Sequence, residues 1–189
     1  MAKICLVRHG ETDWNLLGKL QGNVDIPLNK TGVEQAKSAG RVLSETGEWD
    51  VIYSSPYKRA KKTASIIAEA LNLPNVVELD LLKERDYGDA SGLTKQEVQN
   101  RWVDGNVPNQ ESREALRERV VNALDIIVST APNKNVIIVS HGGVINSILA
   151  YVSGDEIGSG KTVLKNACVS VLDYSDGLWK VDFYNKSVF

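Results

Sequence analysis

The sequence predicts an α/β protein, a three-layer α/β/α sandwich around a mostly parallel sheet. Three observations carry that reading. Short apolar runs at 4–7, 51–53 and 136–139 have the length and uniform hydrophobicity of strands buried on both faces. Segments with apolar residues at helical spacing separate them, most plainly 57–71 and 112–128. Such alternation builds parallel sheets, because each crossover lays a helix on one face. Near the end of the chain, apolar runs at 167–174 and 178–184 flank Ser175-Asp176-Gly177, a hairpin turn that adds antiparallel strands. A chain of 189 residues can bury one substantial core, and 1–189 reads as a single domain without repeat or linker.

Each element follows from local residues. The first strand, 4–7, stops at Arg8-His9-Gly10. Residues 16–29 hold Gly18, Gly22, Asn23, Pro27 and Asn29 and read as a loop. Thr31 then caps a helix, with Glu34 completing a capping box; Val33, Ala36, Ala39 and Leu43 form its apolar face and Gly47 ends it. The second strand closes in Ser54-Ser55-Pro56, and the helix over 57–71 puts Arg59 in its first turn. Pro74 stops that helix, and 76–79 is a third strand. Residues 81–92 are polar and turn-rich, 94–102 a short helix, and the stretch to Gln110 a loop. Ser112 caps the long helix through 128, with Leu116, Val120, Ala123, Leu124 and Ile127 inward. The fourth strand, 136–139, leads through Ser140-His141-Gly142-Gly143 into a helix over 144–152.

Ligands of open α/β sheets bind beyond the carboxyl ends of the strands, and there the chain puts its two histidines. His9 and His141 each follow an apolar strand and precede a glycine. Arg8 stands beside His9, and Arg59 follows the second strand. Such like-signed groups repel one another unless an anion sits among them, and a phosphoryl group suits guanidinium forks. Gly10, Gly142 and Gly143 would let backbone N–H groups approach its oxygens, helped by the positive end of the following helix. Arg59 competes with Lys58, Lys61 and Lys62 on one helix; the Ser54-Ser55-Pro56-x-x-Arg59 spacing favours it.

Arg8-His9-Gly10-Glu11 with Trp14-Asn15 resembles the signature of the histidine phosphatase superfamily, the phosphoglycerate-mutase-like enzymes. The similarity runs from Lys3 to about Val152. It implies a phosphohistidine mechanism, with His9 as nucleophile and with Arg8, Arg59 and a protonated His141 holding the equatorial oxygens. Neutral imidazole is a competent nucleophile near pH 7. The resemblance ranks Glu84 above its loop neighbours Asp86 and Asp89 as the acid/base carboxyl, a task that calls for a raised pKa. Asn15, Gln21 and Gly22 match positions lining the phosphate and substrate pocket. No metal and no organic cofactor is implied.

Composition narrows the partners. A net charge of −2 with mixed signs gives no nucleic-acid or anionic-membrane surface. No stretch is long and apolar enough to cross a bilayer, and residues 1–3 lead into a strand rather than a signal peptide. Cys5 and Cys168 read as buried, reduced thiols of a cytoplasmic protein and form no C-x-x-C metal pair. The expected partner is a small phosphorylated substrate, a sugar phosphate or glycolytic acid among the candidates, with 92–110 setting the preference.

Three functions compete: a phosphatase, a phosphoglycerate mutase primed by 2,3-bisphosphoglycerate, and a non-catalytic binding module. The module is disfavoured because every expected polar group is present. Mutases of the family carry a longer segment between the glutamate and the second histidine. Here that segment is short and shows no paired arginines after the 94–102 helix, so water has access and hydrolysis is favoured. Glu84-Arg85-x-Tyr87-Gly88 and Gly92-Leu93-x-Lys95 nevertheless look similar to the mutase loop.

Overall fold

The computed structural model describes residues 2–189. Its strands are β1 (Ala2–Arg8), β2 (Val51–Ser54), β3 (Val76–Glu78), β4 (Val136–Ser140), β5 (Val169–Ser175) and β6 (Leu178–Lys186). The helices are α1 (Asp13–Leu16), α2 (Lys30–Thr46), α3 (Lys58–Ala70), α4 (Lys95–Arg101), α5 (Arg113–Thr130) and α6 (Gly142–Val152). The strands form one sheet in the order β3-β2-β4-β1-β5-β6. β1 to β4 run parallel; β5 pairs antiparallel with β1, and β6 antiparallel with β5. The terminal hairpin therefore extends one edge of an otherwise parallel sheet.

Alternate residues of the central strands feed two cores. Ile4, Leu6 and Ile138 pack under α5 and α6, against Leu124, Ile127 and Ile148. Cys5, Val7 and Ile137 face the opposite way, against Leu43 of α2 and Ala64 and Ile67 of α3. These are the three layers. β4 is buried along its whole length, which accounts for its unbroken Val136-Ile137-Ile138-Val139 run. Burying each of these aliphatic side chains contributes roughly 1.5–3 kcal/mol.

Most boundaries shift by a residue or two, α1 is unexpected, and three differences have a clear local cause. α2 begins one residue before Thr31, and Asn29 is its cap: the Asn29 side chain accepts from the Gly32 amide at 2.8 Å while its own amide donates to Glu11. A cap tied to a neighbouring loop prevails over an isolated threonine, and the Thr31–Glu34 box does not form. Capping boxes occur instead at Thr12–Asn15 and Thr94–Glu97. α6 begins at Gly142, with His141 extended at its N-cap, so both glycines lie in its first turn. β5 begins at Val169, because Ala167 takes a left-handed φ of 53°.

Candidate active site

Register brings the two histidines together. Arg8 of β1 lies opposite Ser140 of β4, so the next residues leave the sheet side by side. The His9 amide donates to the Ser140 carbonyl at 2.9 Å, and the two imidazoles meet edge to face with centroids 5.2 Å apart. Both side chains are buried.

Their hydrogen bonds fix opposite tautomers. His9 Nδ1 lies 2.7 Å from the Gly10 carbonyl, which can only accept, so Nδ1 carries the proton and Nε2 keeps its lone pair. His141 Nδ1 lies 3.2 Å from Nε–H of Arg59, which can only donate, so this Nδ1 is bare. A neutral ring then protonates at Nε2, which donates to Ser55 Oγ at 2.8 Å. Burial, followed by the charges of Arg59 and Arg8, holds His9 well below its ordinary value of 6.5, against the Gly10 bond. Burial, then Arg59 and His9, does the same for His141. The expected protonated His141 is therefore corrected: it is neutral here, because its second nitrogen already accepts a bond.

Arg59 is fully buried and spreads its fork over three acceptors. Besides His141 it donates through Nη1 to the Val24 carbonyl at 2.8 Å and through Nη2 to that of Gly22 at 2.9 Å. Arg8 donates through Nη1 to the Leu164 carbonyl, while its buried Nε has no protein acceptor. An orphaned guanidinium N–H at the pocket floor is a donor waiting for an anion.

Glu84 approaches from the other side. It accepts from the Gly143 amide, 3.1 and 3.3 Å from its two oxygens, and from the Arg85 amide at 2.8 Å. Its loop is clamped by groups that the sequence reading missed. Arg119 donates to the carbonyls of Leu81 and Lys83 and is itself paired with Glu111, and Ser140 Oγ donates to the Leu82 carbonyl. Nearby, the charge of Glu84 and then burial push the Tyr87 hydroxyl up from its usual value.

The pocket above these groups encloses about 460 Å³. Arg8, His9, Asn15, Gln21, Arg59 and Glu84 all line it, as does Gly142. Asn15 Oδ1 is taken up by Thr12 and Asn166, which leaves its NH2 group to donate. His141, Gly10 and Gly22 are not in the wall. Gly10 gives its amide to Thr63 Oγ1, and a Cβ there would lie 2.3 Å from the Gly32 carbonyl oxygen, so this glycine serves close packing rather than anion binding. Gly22, at φ +50°, serves through its carbonyl as an Arg59 acceptor. The Gly143 amide is likewise spent, on Glu84. From 92–110 only Lys95 reaches the pocket, and 159–164 supplies much of the wall instead. Asn166 bridges the His9 carbonyl and Asn15. No local signal marks Asn166 or Arg119, and the Ser54-Ser55-Pro56-x-x-Arg59 spacing gives Ser55 itself no role, because its partner His141 lies far off in the sequence. Among the described residues no three His, Cys, Asp or Glu side chains form a metal-holding group, and no helix is long and apolar enough to cross a membrane.

With this geometry in view, comparison with known proteins is informative. The family model for the histidine phosphatase superfamily (branch 1) matches residues 4–187. The chain is 46% identical over 185 residues to an uncharacterized phosphatase, PhoE, of Bacillus subtilis, with 98% of this chain and 95% of that one covered. To the metal-independent phosphoserine phosphatase of Arabidopsis thaliana it is 34% identical over 197 residues, with 98% and 82% covered. Among solved structures, a mutant phosphoserine phosphatase of Entamoeba histolytica in complex with phosphoserine is similar at a TM-score of 0.87 and 28% identity, over 99% of this chain and 98% of that one.

Proposed function

The chain belongs to the histidine phosphatase superfamily and is a phosphomonoester hydrolase, and on that premise we propose that it works without a metal, through a phosphohistidine on His9. The observation that carries this reading is the His9 tautomer: its Nδ1–H is committed to Gly10, so the Nε2 lone pair faces a pocket floored by Arg8 and Arg59. In the first step Nε2 bonds to phosphorus, the ester P–O bond breaks, and the leaving oxygen takes a proton that Glu84 has picked up from solvent. In the second, Glu84 takes a proton from water, whose oxygen bonds to phosphorus as the P–N bond breaks. Arg8 and the free N–H groups of Arg59 hold the oxygens on which charge builds. His141, whose Nε2–H rests on Ser55 Oγ behind the pocket wall, acts as a neutral donor once that bond is exchanged for a phosphoryl oxygen, and Asn15 donates from the rim of the phosphate site.

A cytoplasmic location belongs to the same reading, supported by two buried thiols with no disulfide. The test is rapid quench of enzyme with labelled phosphomonoester. We expect acid-labile, base-stable label on the wild type, none on His9→Ala, and full hydrolysis to inorganic phosphate without added metal. Label that accumulates as 2-phosphoglycerate from 3-phosphoglycerate and 2,3-bisphosphoglycerate would establish the mutase instead.

A further inference from the structure

Among the ion pairs of the described residues, one stands apart. Lys37–Glu34, Lys61–Glu78, Lys83–Asp80 and Arg117–Asp155 lie at the surface, with every side chain at least 38% exposed. The side chains of Arg119 and Glu111 are 19% and 17% exposed. They meet fork to fork, Nε on Oε1 at 2.9 Å and Nη2 on Oε2 at 2.8 Å. A shielded, two-point pair fixes geometry in a way that an exposed single contact does not.

What this pair grips is the loop that carries Glu84. Arg119 Nη1 donates to the carbonyls of Leu81 and Lys83, at 2.7 and 2.8 Å. Glu111 Oε2 accepts from the Asp86 amide at 3.2 Å. Neither side chain has any other hydrogen-bond partner among the described residues. The peptide unit before Glu84 is thus tied to Arg119 through its carbonyl, and the unit after Arg85 to Glu111 through its N–H. Only the Glu84–Arg85 peptide lies between them, and its N–H is given to the Glu84 carboxylate itself. The Glu111 backbone tightens the hold: its amide donates to the Asp86 carbonyl, and its carbonyl accepts from Arg85 Nε, both at 2.9 Å.

Seating α5 does not require this pair. Leu116, Val120, Ala123, Leu124 and Ile127 bury that helix in the core. Nor does the pair reach substrate, since neither residue lines the pocket. An acid/base group, however, must meet the leaving oxygen in one step and water in the next, and a misplacement of about 1 Å can cost about 10²-fold. Resting on the phosphatase reading, we infer that Arg119 and Glu111 are positioning residues for proton transfer. They hold the Glu84 carboxyl at the leaving oxygen by fixing the backbone on both sides of it.

Leaving-group dependence separates this role from a merely structural one. p-Nitrophenolate departs readily as an anion near pH 7, whereas phenolate departs slowly unless a proton meets it. The two esters share one shape, and kcat/KM reports the steps through P–O cleavage, so their ratio reads the proton donor. Arg119→Met should lower kcat/KM roughly 30-fold for phenyl phosphate and about 3-fold for p-nitrophenyl phosphate, a partial loss of general acid catalysis. Glu111→Leu combined with Arg119→Met leaves no charge stranded and so protects the fold; it should show the same split. Arg119→Lys, which keeps the charge without the fork, should recover part of the loss. Glu84→Gln should already show the split, and adding Arg119→Met to it should change neither constant by more than about 2-fold. Equal losses on both esters, or a further loss on adding Arg119→Met to Glu84→Gln, would overturn the assignment and leave the pair a structural clamp. A Glu84→Gln enzyme without the split would remove Glu84 as the acid, and the assignment with it. A wild type inert towards both esters would bring down the phosphatase reading itself.

Discussion

The carboxyl ends of β1 and β4 look alike in sequence and differ in chemistry. Each delivers an apolar strand, a histidine and a glycine. At the end of β1 the ring faces a carbonyl, which can only accept, and its outer nitrogen is left bare. At the end of β4 the ring faces an arginine N–H, which can only donate, and its outer nitrogen carries the proton. The difference teaches that a histidine's role is set by the one neighbour whose polarity cannot reverse. On the proposed mechanism one ring would give electrons to phosphorus and the other a hydrogen bond to oxygen.

The sharpest way to break this comparison is to remove each ring. His9→Ala should lower kcat by roughly 10⁴-fold or more, because the covalent route disappears with the nucleophile. His141→Ala, which removes one donor, should cost roughly 10²–10³-fold. Steady-state hydrolysis of p-nitrophenyl phosphate measures both, and equal losses would mean that the two rings share one role.

Arg59→Lys keeps the charge and discards the fork, so it sharpens the comparison at its cause. The carbonyls of Gly22 and Val24 lose a shared donor, and His141 Nδ1 loses the N–H that keeps it bare. Turnover should fall about 10²-fold. ¹⁵N NMR of the His141 ring should show the proton redistributed between its nitrogens, where the wild type shows it on Nε2 alone. An unchanged His141 spectrum would mean that something other than Arg59 sets the tautomer.

In one respect the two rings should behave identically. Both are buried and held neutral well below 6.5, whereas in the unfolded chain both take up protons near that value. As pH falls below 6.5 the unfolded state binds more protons than the folded one, so stability falls with pH. Two such groups give a slope of up to about 2.7 kcal/mol per pH unit. Urea unfolding at pH 7.0, 6.0 and 5.5 measures it, before carboxylate protonation intervenes. His9→Ala should halve the slope; a flat profile over this range would mean that the rings take up protons in the folded state.

The strands, their layering with helices and the place of the site were legible in the sequence because they rest on short-range patterns. Uniform apolar runs mark strands, and Arg8, His9, Arg59 and His141 follow them directly. The resemblance supplied Glu84, which the charges on its loop could not single out. What the sequence hid is the traffic of hydrogen bonds between distant segments. Gly10 and Gly143 read as anion-binding amides, but Thr63 and Glu84 already accept from them. Gly32 excludes a side chain at Gly10 across a contact that no local pattern announces. The 159–164 wall, folded back over the site from beyond α6, was likewise invisible to a reading that expected specificity from 92–110.

The smallest effect is expected at Ser55, and its size follows from the polarity rule. A hydroxyl can donate or accept, so Ser55 adapts to whichever tautomer His141 presents, whereas Arg59 dictates it. Ser55→Ala should therefore leave the His141 proton on Nε2 while stripping that proton of its resting acceptor and the Tyr57 amide of its own. Of the two hydrogen bonds lost, only the one to His141 bears on turnover, worth roughly 1 kcal/mol and so about a 5-fold fall in kcat, with KM little changed. Ser55→Thr, which keeps the hydroxyl, should recover most of it. If ¹⁵N NMR instead finds the His141 proton moved to Nδ1 in Ser55→Ala, control of the tautomer passes from Arg59 to the hydroxyl. The contrast between the two strand ends would then rest on Ser55, a residue that the end of β1 does not match, since His9 finds its partner in the carbonyl of its own neighbour.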